Sequence, residues 1–245
     1  MPSTSSTTTS PSPAPSSSSS TPAPAPLWTG NYDNGTLSQF DSTSWNDLPM
    51  APAVVSSVAY NGNYAGKYVI PAGGARCENV PSMREMTEGD DMWFSWSTML
   101  GSDFPVNISN WQVIDQWKND GTGSPPLELT VENGQFRVDG GYGWPGNTSS
   151  GTPKMSYQWV GAATTNVWNH WTFHVKFSSN PTVGYVDVWR DGKQVISGWH
   201  MPGGTLYPSL NSYLKVGYYR DTAISTQGTV YQDAWKAGTT AASVS

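Results

Sequence analysis

One cysteine, Cys77, stands in a chain of 245 residues. A single thiol excludes an intrachain disulfide and a thiolate metal cluster, and a thiol nucleophile would want a histidine partner. Histidine is scarce too: His170, His174 and His200 sit in Trp-rich, strand-like surroundings with no dyad spacing. Cys77 therefore reads as a small buried residue between Arg76 and Glu78. Charge is also sparse, at 12% of residues with a net of −6. No basic stripe, nucleic-acid recognition motif or glycine-rich phosphate loop is present, which argues against nucleic acid as a partner. No apolar run approaches the length that crosses a bilayer, so no membrane partner is expected. Helical periodicity is missing as well, apart from a turn near Pro81 to Glu88.

Glycine, proline, tryptophan and tyrosine are abundant, with 13 Trp and 12 Tyr. That balance belongs to a rigid extracellular β-protein more than to a helical cytosolic one. Most of the tryptophans are expected to pack the core or its rim, leaving others to offer flat faces to sugar rings. Residues 1–26 are almost entirely Ser, Thr, Pro and Ala, too poor in apolar side chains to offset the entropy of ordering. They read as a linker, and residues 27–245 as one domain with ample core. Such linkers are commonly O-glycosylated spacers between modules of secreted proteins. Met1-Pro2-Ser3 opens straight into it without a signal-peptide pattern, as expected of a piece of a longer secreted precursor in which another module, such as a carbohydrate-binding one, preceded it. Asn34-Gly-Thr, Asn107-Ile-Ser and Asn147-Thr-Ser are potential N-glycan acceptors.

The folded part alternates with period two. Leu127, Leu129 and Val131 alternate with Glu128, Thr130 and Glu132, Asn133-Gly134 supplies a type I′ turn, and Phe136 and Val138 resume the apolar face, which predicts a hairpin. Trp171, Phe173, Val175 and Phe177 predict another strand, with Thr172, His174 and Lys176 on its opposite face. Val186 and Val188 lead to an Asp191-Gly192 turn and a return strand at Val195-Ile196. Many short antiparallel strands predict an all-β sandwich or jelly roll of two antiparallel sheets. Within them, three stretches place polar residues two apart: Arg76-Cys77-Glu78, Gln116-Trp117-Lys118 and Tyr213-Leu214-Lys215. Residues i and i+2 share a face, and Tyr219 shares the parity of Tyr213, Lys215 and Gly217. A face bearing Arg, Gln, Lys and Tyr suits holding an anion and moving a proton.

The order Arg76-Cys-Glu78, Gln116-Trp-Lys118 and Tyr213-Leu-Lys-Val-Gly-Tyr-Tyr219-Arg220 resembles the signature strands of β-jelly-roll polysaccharide lyases, the group of alginate lyases, heparin lyase I and glucuronan lyases. Trp168-Asn-His-Trp171, the Val186-to-Gly192 hairpin and Val230-Tyr-Gln-Asp-Ala-Trp235 extend the likeness over most of the folded region. Alginate and heparin lyases usually carry Gln-x-His where this chain has Gln116-x-Lys118, so it is most similar to the glucuronan lyases. The resemblance implies a jelly roll with a concave groove, a secreted monomer and an anionic polysaccharide as partner. It implies no cofactor or catalytic metal, and at most a structural calcium, for which Asp33, Asp41 and Asp233 are available oxygen ligands.

The chemistry can be argued from the residues. Cutting a 4-linked uronate by elimination removes the C5 proton, which is weakly acidic beside an ionised carboxylate. Gln116 can donate to that carboxylate, and Arg76 or Lys118 can add positive charge, stabilising the negative charge as it develops. The resemblance implies Tyr219 as base. A phenol ionises near 10 when unperturbed, so Lys215 and Arg220 are candidates for lowering that value. In β-D-glucuronate the C5 proton and the C4 oxygen lie on one side of the ring, so one phenol can take the proton and return it to the leaving oxygen. Tyr219, Gln116 and Arg76 are thus the catalytic candidates, and Lys118, Lys215, Tyr213, Glu78, Arg220 and His174 the substrate-binding ones. Two other readings stay open: a lectin-like module that binds glycans without cleaving them, and a glycoside hydrolase, which needs two carboxylates about 5 to 9 Å apart. Glu128 and Glu132 share a face near a turn, and Glu85, Glu88 and Asp90 look like a surface loop, so no convincing pair is visible. Arg76–Glu78 as a plain ion pair, Lys118 as a solvated rim residue and Tyr219 as packing are the ordinary alternatives.

Overall fold

The computed structural model describes residues 1, 3, 23–42, 50–119, 121, 123–143 and 154–245. The proposed linker and the Asn147 acceptor therefore lie largely or wholly outside the described residues, whereas Asn34 and Asn107 are exposed. In chain order the strands are β1 (Trp28–Gly30), β2 (Phe40–Ser42), β3 (Ala53–Val55), β4 (Ala65–Ile70), β5 (Arg76–Pro81), β6 (Asp91–Leu100), β7 (Gln112–Asn119) and β8 (Leu127–Glu132). They continue with β9 (Gln135–Tyr142), β10 (Lys154–Ala162), β11 (Trp168–Lys176), β12 (Tyr185–Arg190), β13 (Lys193–Trp199), β14 (Ser212–Arg220) and β15 (Gly228–Gly238). A short 3-10 turn at Ala241–Ser243 is the only helical element among the described residues.

Two antiparallel sheets face one another. One has the order β13-β12-β11-β6-β15-β4-β3, with β1 added on β15, and the other the order β10-β9-β8-β7-β14-β5-β2. The predicted hairpins form as read: Asn133 and Gly134, and Asp191 and Gly192, all take positive φ, the requirement of a type I′ turn. The expected helical turn at Pro81 to Glu88 does not form. That segment is bends around a bridge between Met86 and Ser212, because its polar side chains are used elsewhere: Arg84 donates twice to Asp90, and Glu88 accepts from Ser178 and Ser179.

Alternation sends the apolar residue of each motif inward. Trp117 packs edge-on against Phe94 and Trp96 of the facing sheet and stacks on Phe173, with centroids 5.0, 6.1 and 5.4 Å away. Trp96 in turn stacks on Trp235 at 4.3 Å. Cys77 and Leu214 are buried in the same core, and burial pushes the Cys77 thiol up to about 12, which leaves it inert. A polar staple joins the sheets: Gln232 donates to Asp115 and accepts from Thr98.

The second sheet is unevenly stepped at its middle. β14 passes from Val216 to Tyr219 while β7 passes from Asp115 to Val113 and β8 only from Leu129 to Thr130. Extra residues of this kind bend a sheet, here beside Tyr219. Gly217 lies in that stretch with φ of 144°, and a Cβ there would stand 2.4 Å from the Cys77 carbonyl oxygen. The glycine of the Tyr-x-Lys-x-Gly-x-Tyr pattern is thus demanded by close approach of β5. Gly217→Ala is expected to cost more than about 1 kcal/mol and to lower Tm by several degrees in thermal unfolding; an unchanged Tm would refute the steric argument.

Candidate active site

The outer face of the second sheet forms a groove of about 1170 Å³, lined across its strands by Arg76, Gln116, Lys118, Lys215, Tyr213 and Tyr219 among others. The three motifs therefore converge, although they are far apart in sequence. Hydrogen-bond register explains why: Tyr219 pairs with Arg76, Lys215 with Gln116, and Tyr213 with Lys118.

Tyr219 is half-buried, its ring between the Arg76 guanidinium, 4.0 Å from the ring centroid, and the Trp111 ring at 4.7 Å. Its hydroxyl makes no hydrogen bond to any described residue, so its donor and acceptor capacity is open to the groove. Beneath lies Glu78, which accepts from Gln116 Nε2 at 2.5 Å and is 3.5 Å from both Arg76 Nε and Lys215 Nζ. A carboxylate that gathers one amide and two cations fixes their directions. Glu78 is itself buried, so its place is under the site, orienting the groups that face the groove. The amide of Gln116 carries a second N–H. Lys215 is buried, and burial, partly offset by Glu78, holds its ammonium below the usual lysine value. Lys118 Nζ donates to Asn119 and to the Gly121 carbonyl, which ties it to the loop after its own strand.

Two expected site residues lie elsewhere. Arg220 has opposite parity to Tyr219 and is fully buried, donating to the carbonyls of Gly74, Ile70, Pro71 and Thr226. It stitches loops together and does not face the phenol. His174 is on the other sheet, stacked on Trp93 at 4.2 Å and bonded to Asp91 and Asp187; alternation gave its parity but could not say which sheet it occupied. His170 bonds Ser95 and Ser97, and His200 the Gly184 carbonyl. Of the aspartates considered for calcium, Asp41 lines the groove, while Asp33 and Asp233 meet at one loop, Asp33 accepting from the Asn63 N–H and Asp233 from those of Tyr60 and Asn61. Among the described residues no three acid, histidine or cysteine side chains are grouped together.

Trp111, Asp139 and the pairing of Asp139 with Glu128 escaped the sequence reading, which weighed Glu128 only beside Glu132. Trp111 packs on the phenol, and Glu128 and Asp139 stand opposite each other on β8 and β9. Because Glu132 and Gln135 flank the two-residue turn, Glu128 must fall opposite Asp139, so the pair was deducible from the hairpin alone. Burial raises both carboxyls, Asp139 to about 6. Asp139 accepts twice from Arg137, at 2.6 and 2.5 Å, and once from Thr130, which makes it a fixed part of the floor.

Over residues 32–236 the sequence matches the polysaccharide lyase family. The chain belongs to that family. Among solved structures, the lyase resembles the endo-β-1,4-glucuronan lyase of the fungus Trichoderma reesei, at 17% identity and a TM-score of 0.72, covering 90% of this chain and 98% of that one. It also resembles a family-131 β-glucanase catalytic domain from Podospora anserina, at 11% identity, TM-score 0.59, and 89% and 97% coverage. Alginate lyase A1-II′ of polysaccharide lyase family 7 follows at 14%, TM-score 0.52, and 71% and 79% coverage. At such identities these likenesses show a shared jelly-roll fold. No curated protein sequence matches. Family membership makes the chain a polysaccharide lyase and answers the open choice against the lectin and the hydrolase.

Glu128 supplies a pH test of the lyase's groove floor. An unfolded glutamate titrates near 4.3 and the buried one higher, so folding retains a proton that the unfolded chain releases. The stability this confers is complete below about pH 4 and is lost as pH rises through the folded value. The Tm of Glu128→Gln minus that of the unsubstituted lyase should therefore increase from pH 5 to pH 8. A difference that stays flat would show that Glu128 ionises without penalty.

Proposed function

We propose that this lyase cleaves a 4-linked uronic-acid polymer, with β-1,4-glucuronan as its first substrate, by β-elimination to unsaturated oligosaccharides. The observation that carries the reading is the Tyr219 hydroxyl, open to the groove and flanked by Arg76, with Gln116 and Lys215 on the next residue pairs of the same face. Gln116 and Arg76 receive the uronate carboxylate, with Lys215 adding charge behind them. Their hydrogen bonds strengthen as the C5 carbanion becomes enolate-like, which is where stabilisation accelerates the reaction. Tyr219, acting as a phenolate in this step, accepts the C5 proton. The electron pair forms the C4–C5 double bond, the C4–O bond breaks, and the new phenol returns its proton to the leaving oxygen. This syn route uses one residue as base and acid, which accords with Lys118 standing where other lyases place histidine. The likeness to the Trichoderma reesei glucuronan lyase supports the choice of polymer.

Lys118 and Tyr213 complete the binding face in this reading, at the end of β7 and the start of β14. The Ser/Thr/Pro-rich start of the chain and the low overall charge support a secreted, monomeric enzyme that carries glycans at exposed sites such as Asn34 and Asn107. The chemistry proposed requires no cofactor.

Ultraviolet absorbance of the unsaturated product, followed on a panel headed by glucuronan and polymannuronate, tests this directly. A rise is expected on glucuronan, with kcat down at least about a hundredfold in Tyr219→Phe and Gln116→Ala similarly impaired. New reducing ends without absorbance, or a fully active Tyr219→Phe, would overturn the mechanism.

A further inference from the structure

Two rows of side chains cross the groove sheet from strand to strand. Register aligns Arg76, Tyr219, Val113, Thr130, Arg137 and Trp159 in one. The other runs through Lys215, Gln116, Glu128, Asp139 and Tyr157. The edge strand β10 thus continues the face that bears Tyr219, four strand spacings away, or about 19 Å at roughly 4.8 Å each. Met155, of the same parity, lines the groove itself.

The two ends differ in chemistry. Near Tyr219 the cations Arg76 and Lys215 share one buried acid, Glu78. Near β10 the floor holds Glu128, Asp139 and Glu132 against Arg137, whose guanidinium is already committed to Asp139 and, at 2.5 Å, to Glu132. Lys118, on the adjacent strand β7, tempers Glu128, and its ammonium donates to Asn119 and the Gly121 carbonyl. At this end the guanidinium is already paired with two carboxylates. What this end presents is aromatic surface. Tyr157 is 51% and Trp159 41% exposed, edge-on to each other at 5.5 Å. The Arg137 guanidinium lies 4.8 and 5.4 Å from their ring centroids. Rings backed by a fixed cation hold their orientation and offer flat faces on which the C–H side of a sugar ring stacks.

We propose that Tyr157 and Trp159 form a distal sugar platform at the β10 end of the groove, which takes a sugar by its ring face and requires no carboxylate, so that a neutral residue fits there at least as well as a uronate. This deepens the reading above and rests on it for the course of the polymer from Tyr219 to β10. It makes the bound substrate several residues long, with charge recognised at one end and ring shape at the other.

The test is a binding measurement that runs without cleavage. Cellohexaose, a neutral 4-linked glucan, is titrated into the full chain while tryptophan fluorescence and calorimetric heat are followed, with Tyr157→Ala/Trp159→Ala and Trp159→Phe alongside. Both sites are exposed, and near-ultraviolet circular dichroism checks the fold. Saturable binding is expected, weakened about tenfold or more in the double variant and partly retained in Trp159→Phe. No saturable response from the unsubstituted chain, or equal affinity in the double variant, would overturn the proposal. So would a dimer in sedimentation that the double variant loses without any sugar response, since a second copy of this chain would then be the occupant. Cellohexaose binding with glucuronan left uncut would keep the platform and sink the substrate assignment, whereas glucuronan cleavage without cellohexaose binding would do the reverse.

Discussion

The packing of Trp117 between the sheets is the contact on which the groove depends. Its indole meets Phe94, Trp96 and Phe173 in the core, and no shift of one residue in β7 is compatible with that packing. Because side chains alternate, burying Trp117 turns Gln116 and Lys118 outward. Cys77 and Leu214 do the same for Arg76 and Glu78, and for Tyr213 and Lys215. The groove face is therefore held by apolar burial on the reverse side of the same strands, and the energy that places the Gln116 amide comes from the core behind it.

Electrostatics then decides what the outward face can hold. The chain carries a net charge of −6, a field unfavourable to a polyanion. Against it, cations are concentrated at one end of the groove, where Arg76 and Lys215 converge on one buried carboxylate. Glu78 lowers the cost of burying Lys215 and sets the direction of Gln116. With Glu78 replaced by an apolar group, Arg76 and Lys215 would both lose the carboxylate they share. Local arrangement outweighs the sum because the pairs are partly shielded from solvent and the distances are short.

Much of this was legible in the chain, and the limits were physical. Type I′ turns at Asn133-Gly134 and Asp191-Gly192 announce hairpins by backbone geometry that few residue pairs tolerate, and period two announces faces. Alternation also should have excluded Arg220, which neighbours Tyr219 and so points the other way. His174 shows the real boundary: parity tells which residues share a face but not which sheet bears it, since that follows from non-local pairing of β11 with β6. The helical turn expected at Pro81 to Glu88 failed because Arg84, Glu88 and Asp90 find partners that no local rule predicts. Trp111 was hidden for the same reason: it lies just before β7 and meets Tyr219 only through pairing.

The uneven stepping of β14, β7 and β8 links these points. A regular sheet would carry its rows of side chains straight across, but β14 advances further than β7, and β7 further than β8, between the same two rows. The added residues bend the sheet where Tyr219 stands, and Gly217 allows β5 to approach while that happens. In the proposed reading, that bend lets one face serve both as the cleft at Tyr219 and as the track that leads to β10. The Tyr-x-Lys-x-Gly-x-Tyr pattern is thus a record of backbone geometry as much as of chemistry: Lys215 belongs to the cation cluster with the Tyr213 ring beside it, Gly217 clears the way for a neighbouring strand, and Tyr219 carries the phenol that faces the groove.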